Sequence, residues 1–327
     1  MIRKTDFPTL TTDVQSIFNE ATRSKIAGME GLKIFDVKET EREVDKHLIL
    51  HSIGGVEEVA DGQDYPRATG AEGDNISYTQ AQYGVNVPVT VKMRLFDLYD
   101  EITSVVTTIT EEAWDMVDQS LADVLLNGYS TTYTDVYGTT TSGAGPDAAS
   151  LFASTHDFGG ASADTFTNII SDGTNDNPTL SRAAIVNTIN VGLKFQDANG
   201  KTKPIHYDTL VFGPDLADLA TRITTSDQIS NSANWDPNMF VKSRVKNLVL
   251  WERLAQTGQG TSTTAFWFMY DSTKVKESLK IKFAKRPSLD APEEIHSNKD
   301  WDYVLNYFYS RGLGFPAYIQ GSNGTES

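Results

Sequence analysis

The chain has 327 residues, 39% of them hydrophobic, so it is long enough for one large domain or two modest ones around a sizeable core. It contains no cysteine, which excludes disulfides, thiolate nucleophiles and cysteine-based metal sites. A formal charge of -16 disfavours a nucleic-acid-binding module, because phosphate contacts need clustered lysine and arginine.

Residues 1–46 are predicted to form an N-terminal arm. Thr11 or Thr12 can cap a short helix whose apolar face includes Val14 and Phe18. No apolar run follows Met1, so we expect no signal peptide. We also expect no membrane span, because no stretch approaches the roughly 18 apolar residues that a span needs.

Residues 47–96 contain two extended segments joined by a glycine-rich excursion. The outgoing segment is 47–53, and the return begins at residue 76 and continues to 91. Valines alternate from 85 to 91, which is a strand pattern, and Pro88 predicts an edge strand because proline cannot donate to a ladder. A long two-stranded excursion is marginally stable alone, so a neighbouring subunit is expected to cover it.

Residues 97–127 form the clearest element, an amphipathic helix. Its apolar stripe recurs at steps of three and four residues: Leu98, Ile102, Val105, Ile109, Ala113, Met116, Val117, Leu121 and Val124. The other face is acidic and includes Glu111, Glu112 and Asp115. These carboxylates are interpreted as a solvated or partner-facing surface, and the helix either as an ordinary long core helix or as a structural spine.

The remaining chain divides into three segments. Residues 128–178 are rich in Thr, Ser, Gly and Asp and are predicted to form loops and short strands. Residues 179–275 alternate helix and strand patterns, which predicts a compact α/β unit. Residues 276–327 are mostly extended, with an aromatic strand at 301–310 that breaks at Gly312.

The sequence contains few arrangements of side chains that could catalyse a reaction or bind a metal ion. His47 and His51 lie on a predicted strand, where four residues separate them by ~13 Å, so they do not form a metal site. His156 beside Asp157 resembles an acid–base pair, but a hydrogen-bonded loop histidine is the favoured interpretation. No phosphate-binding, dinucleotide-binding or nucleophile-elbow motif is present. We therefore predict no catalytic residue, no metal site and no cofactor.

The order of these elements resembles the major capsid proteins of tailed bacteriophages, which have the Hong Kong 97-like capsid fold. Three stretches carry the resemblance most clearly: residues 76–89 running into the helix from Phe96, residues 207–220 and residues 307–316. The implied fold class is α+β, with an N-arm, an E-loop, a long spine helix, a peripheral domain and an axial domain.

The resemblance assigns a part of that fold to each segment. The implied boundaries are 1–46 for the N-terminal arm, 47–96 for the E-loop, 97–178 for the peripheral domain with spine helix 97–127, 179–275 for the axial domain, and 276–327 for the returning strands of the peripheral domain.

The resemblance further implies a subunit that self-assembles as pentamers and hexamers into an icosahedral head. That head encloses double-stranded DNA without sequence-specific binding. The charge alone favours solubility as the reason for the acidity, and a wall that does not adhere to packed DNA is the alternative interpretation. The implied location is the virion, assembled in the host bacterial cytoplasm, with a portal protein as partner. Since about 46 residues precede the loop, a separate scaffolding protein is also expected.

The resemblance places subunit contacts near the loop tip, at Tyr65, Pro66 and Arg67, and Glu111, Glu112 and Asp115 are further interface candidates. Some family members cross-link subunits through an E-loop lysine, but residues 47–91 contain none, so we expect a non-covalent shell. The alternatives are an encapsulin-like compartment shell, another virion structural protein or, much less favoured, a hydrolase that uses an Asp/His pair.

Overall fold

The structure, a computed structural model, describes residues 8–53, 58–65, 70–96, 99–158, 165–198, 200–229, 236–255, 266–290, 293–294 and 299–325. The helices are α1 (Pro8–Gly28), α2 (Glu30–Ile34), α3 (Val91–Leu95), α4 (Tyr99–Leu126), α5 (Arg182–Leu193), α6 (Ala217–Thr225), α7 (Met239–Arg244) and α8 (Val275–Ser278). None of these helices is long and apolar enough to cross a membrane.

The strands fall into two main sheets and several short pairs. They are β1 (Asp36–Glu39), β2 (Val44–Ile53), β3 (Gly70–Thr79), β4 (Ala81–Val89), β5 (Thr132–Thr134), β6 (Thr140–Ser142), β7 (His156–Asp157), β8 (Thr165–Phe166), β9 (Thr209–Phe212), β10 (Asn247–Leu250), β11 (Trp267–Tyr270), β12 (Leu279–Leu289), β13 (Glu293–Glu294), β14 (Trp301–Leu313) and β15 (Ile319–Ser322).

The N-terminal helix is longer than the sequence analysis predicted. It begins at Pro8, so Thr11 and Thr12 lie inside it and the prediction of a threonine cap was wrong. Proline is well tolerated in a first helical turn, where its missing N–H has no intrahelical partner to lose. The predicted apolar face is correct, because Val14 and Phe18 are buried and belong to the main core cluster.

A five-stranded sheet is built around β14, the aromatic strand that the sequence predicted. β14 pairs antiparallel with β12 on one side and with β4 on the other. Tyr303, Leu305, Tyr307 and Tyr309 alternate into the core, as a strand with one buried face requires. Among the described residues β4 has one partner strand, so Pro88 lies on an edge strand as predicted.

The second sheet has the order β10-β9-β11-β15 and packs against α5, α6 and α7 around its own core cluster. β9 and β10 are parallel, and β11 is antiparallel to both β9 and β15. Residues 276–327 were expected to return as one group, but β15 pairs with β11 in this second sheet. β15 has the sequence Ile-Gln-Gly-Ser, which is too short and too polar to indicate which sheet it joins.

Helix α4 runs from Tyr99 to Leu126, close to the predicted 97–127, and its 28 residues span about 42 Å. Its buried face continues through Val117 and Leu121, both fully buried. The first half is rotated relative to the predicted stripe, because Val106 is buried whereas Val105 is 39% exposed. The buried positions at the start of the helix are four residues apart, Ile102 and then Val106, whereas the predicted stripe took a step of three residues to Val105.

A buried carboxylate on α4 holds other parts of the chain against the helix. Asp118 accepts hydrogen bonds from the Gly31 amide at 3.1 Å and from the Trp251 indole at 3.2 Å. Burial raises the pKa of Asp118, and the bonds from Trp251 and Gly31 oppose that shift without cancelling it. Only glycine fits at position 31, where a Cβ would lie 2.7 Å from the Asp118 Oδ1 atom.

The position of the buried face predicts how two substitutions on α4 will differ. Val117→Asp places an unpaired charge in the core and should lower the free energy of unfolding by roughly 3–5 kcal/mol. Val105→Asp introduces the same side chain at an exposed position and should change it by about 1 kcal/mol or less. Urea unfolding followed by circular dichroism measures both, and equal losses would show that the helix faces are assigned wrongly.

Candidate functional site

The candidate site is the two-stranded loop and its root on the five-stranded sheet. β2 and β3 pair antiparallel from Val44 opposite Thr79 to Ile53 opposite Gly70, as the two extended segments predicted. The predicted returning segment forms two strands. β3 pairs with β2 and completes the loop, whereas β4 pairs with β14 in the five-stranded sheet. The loop is therefore continuous with the main sheet at Gln80.

Polar contacts fix the root of the loop to β12 and β14. Lys282 donates to the Asp45 carboxylate at 2.5 Å, and its ammonium lies 4.4 Å from the centre of the Tyr78 ring. Tyr78 in turn donates its hydroxyl to the Leu313 carbonyl at 2.8 Å. The Tyr78 ring covers Gly312, where a Cβ would lie 2.4 Å from it. β14 continues through Gly312 to Leu313, so the predicted break of the strand at Gly312 was wrong. The missing side chain at Gly312 leaves the space that the Tyr78 ring occupies.

A lysine–histidine contact also lies at the root. The Lys280 ammonium is 3.0 Å from His47 Nε2, so His47 must be neutral there and accept the bond. Burial lowers the pKa of His47, and the charges of Lys280, Lys282 and Lys38 lower it further. Burial also lowers the pKa of Lys280, which is only 7% exposed. The root therefore carries an excess of positive charge that a protonated His47 would increase.

The tip of the loop is acidic and open. Tyr65 is 86% exposed, and Glu58, Asp61 and Asp64 are exposed beside it. Pro66 and Arg67, the other two residues predicted at the tip, lie outside the described residues. A contact of Tyr65, Pro66 and Arg67 with a neighbouring subunit stays a prediction.

The acidic residues of α4 differ from one another in availability. Glu111 and Glu112 are exposed. Asp115 is partly buried and forms ion pairs with Lys25 at 3.0 Å and with Arg253. Its carboxylate therefore joins α1 and the segment after β10 within the subunit. Sequence periodicity placed Asp115 on the outer face, but it could not show the two cations that come from distant segments.

His156 is a buried structural residue. Its Nδ1 lies 2.6 Å from Asp147 and its Nε2 lies 3.0 Å from Asn168 Oδ1, so neither ring nitrogen is free to take a proton from a nucleophile. The partner is Asp147 and not the adjacent Asp157 that the sequence suggested. Burial raises the pKa of Asp147, but the hydrogen bond and charge of His156 and the backbone amide bonds together outweigh burial, and the net pKa is lowered. Asp147 gave no sequence signal, because the contact depends on how the loops fold.

Metal-binding side chains do not converge in the part of the chain that the structure describes. No group of three or more His, Asp or Glu side chains is placed to hold a metal ion there.

Comparisons with known proteins identify the fold. No protein-family model matches the sequence, and no curated protein matches it. The capsid of Myoviridae phage XM1 superposes with a TM-score of 0.51 at 11% identity, covering 90% of this chain and 91% of that chain. The capsid of an empty GTA particle gives a TM-score of 0.52 at 10% identity, covering 90% and 89% of the two chains. The capsid of cyanophage P-SCSP1u gives 0.50 at 10% identity, covering 88% and 86%.

The fold is that of the Hong Kong 97-like capsid proteins. In the terms used for this fold, the β2–β3 hairpin corresponds to the E-loop and α4 to the spine helix. The unit built on β9 and β11 corresponds to the axial domain.

The lysine–histidine contact predicts that mild acid loosens the E-loop root. An unfolded histidine takes up its proton near pH 6.5, whereas the folded chain resists protonation of His47, so stability at the root falls as pH drops below 6.5 through the lowered pKa. Asp45, whose pKa is lowered from 3.8 mainly by its hydrogen bond from Lys282, loses its pairing only at more acidic pH. Burial also raises the pKa of Asp123 on α4 to about 6, so the window between pH 5 and 6.5 does not isolate His47, and a His47 variant is needed to assign the effect.

Hydrogen exchange of β2 and β3, corrected for the intrinsic rate, measures the opening free energy at each pH. His47→Gln keeps an acceptor for Lys280 but does not titrate, so it should remove the pH dependence. An unchanged opening free energy in the unsubstituted protein over this window would contradict the assignment.

Proposed function

We propose that this chain is the major capsid protein of a tailed phage, a structural and non-enzymatic subunit that forms the head. The observation that carries the proposal is the fold, which two capsid chains share over 90% of this chain's length with TM-scores of 0.51 and 0.52. The sequence pattern supports the same function independently, because the order of arm, loop, long helix and α/β unit already resembled that family.

The E-loop itself supports assembly. Val44 and Leu48 in β2 are 44% and 38% exposed, and Tyr65 is almost fully exposed. A hairpin with exposed apolar side chains and no core of its own is stabilised when another surface covers it. In the proposed shell that surface belongs to a neighbouring subunit. Tyr65, Pro66 and Arg67 contact it at the loop tip, and Glu111 and Glu112 provide a second contact on the spine helix.

The domain boundaries of the proposed subunit follow those expected from the resemblance, with changes at three strands. Residues 36–39, expected in the N-terminal arm, join the peripheral sheet through β1, which pairs with β12. Residues 81–89 join the peripheral sheet through β4, and residues 319–322 join the axial sheet through β15. The proposed partners are further copies of this chain in pentamers and hexamers, a portal protein and a separate scaffolding protein. The proposed location is the virion, with double-stranded DNA inside and assembly in the bacterial cytoplasm.

Sedimentation tests the proposal directly. Purified protein, alone or with scaffold, should form closed particles tens of nanometres across, far larger than the 36.0 kDa chain. Particles recovered from cells should contain nuclease-protected DNA, whereas enzyme cargo would indicate a compartment shell. Purified protein that sediments as a monomer at every concentration and salt condition would contradict the proposal.

The absence of lysine in the loop predicts how the shell is held together. An isopeptide bond requires an amine nucleophile on the loop, and the sequence from 47 to 91 has none. Arginine cannot replace it, because the guanidinium stays protonated. Boiled mature particles should therefore give one band near 36.0 kDa on a denaturing gel. A ladder of covalent multimers would overturn this prediction.

A further inference from the structure

Strand β10 is an open edge of the axial sheet. Within the described residues its one neighbouring strand is β9. The amides of Asn247 and Trp251 donate to carbonyls on the β9 side, at 3.2 and 3.0 Å. Because backbone groups alternate between the two edges of a strand, the N–H and C=O groups of Leu248 and Leu250 point away from the sheet. In the part of the chain that the structure describes, no strand pairs with the outward groups of these two residues.

The side chains of the same two residues are also uncovered. Leu248 and Leu250 project from one face of β10 and are 37% and 44% exposed, whereas Val249 between them packs against the main core. Single exposed leucines are ordinary on protein surfaces. Two leucines on a strand edge with free backbone groups form a template for pairing with another strand.

Two cations lie immediately before the strand. Arg244 ends α7 and Lys246 precedes β10, and both side chains are exposed. They line one groove with Asp208, but the Asp208 carboxylate is occupied by Thr209 and Ser272 at 2.8–3.0 Å. Among the described residues neither Arg244 nor Lys246 forms an ion pair within the chain. In a chain of charge -16, these cations favour an acidic partner.

We propose that the β10 edge surface, defined as Arg244, Lys246, Leu248 and Leu250, binds an extended acidic segment of a second copy of this chain by strand addition. The inference rests on the proposed shell function and assigns one contact in it. The added strand satisfies the outward backbone groups, covers the leucines and brings carboxylates to the two cations. Copies of an acidic chain repel one another, so a contact that uses exposed cations is electrostatically favoured.

Hydrogen exchange gives the first test. The amides of Leu248 and Leu250 should exchange rapidly in dissociated subunits and slowly in assembled particles, while the inward Val249 amide is protected in both. Particles whose Leu248 and Leu250 amides stay unprotected would overturn this inference alone. Failure to form particles would overturn both this inference and the proposed function.

Substitutions give the second test. Leu248→Pro removes an outward N–H without removing a bond to β9, so the circular dichroism spectrum of the subunit should be unchanged. The apparent dissociation constant of assembly should rise about tenfold or more. Leu248→Ala keeps the amide and should assemble better than the proline variant. Equal assembly of the two variants would exclude strand addition at this edge.

Charge reversal gives the third test. Arg244→Glu with Lys246→Glu should raise the apparent dissociation constant of assembly about tenfold or more. The same double substitution should lower the yield of carbodiimide cross-links between isotopically distinct copies. Arg222→Glu with Lys276→Glu makes the same change in net charge at exposed positions outside the edge surface. If both pairs of substitutions weaken assembly equally, net charge alone is responsible and the assigned contact is wrong.

Discussion

The buried Asp118 carboxylate on α4 is the interaction on which the arrangement of the subunit depends. It binds the Gly31 amide of the N-terminal arm and the Trp251 indole that follows β10, so one side chain holds both against the same helix. Asp115, one helical turn earlier, pairs with Lys25 and Arg253 from the same two segments. The long helix thereby connects the arm, the main sheet and the axial unit. If the chain forms a shell wall as proposed, this common support keeps the shape of the subunit.

The E-loop is held in place by contacts at its root and not by packing in a core. None of the described side chains of β2 and β3 belongs to a hydrophobic core cluster. Three contacts hold the root of the loop: the Lys282–Asp45 pair, the Lys280–His47 bond and the Tyr78 ring on Gly312. Beyond these contacts Val44, Leu48 and Tyr65 are exposed, and the proposed function assigns them to contacts with a neighbouring subunit.

Local sequence patterns predicted the features that repeat along the chain. The periodicity of apolar residues located α4, and alternation located β14, because burial of one face imposes those periods. Features that depend on distant segments were missed. The sheet that β15 joins and the ion pairs of Asp115 arise from residues far apart in sequence, and no local pattern records them. The Asp147 partner of His156 is only 9 residues away, but it depends on how the intervening loop folds. The proposed interface residues remain predictions from resemblance.

The central claim is that this chain builds the wall of a closed shell with α4 as its spine. A cryo-electron microscopy map of assembled particles tests it most directly. The account predicts an icosahedral wall, one subunit thick, in which every copy shows the 28-residue helix packed on the five-stranded sheet and the β2–β3 hairpin lying on a neighbouring copy. A wall built of another protein, with this chain inside it or absent, would contradict the account.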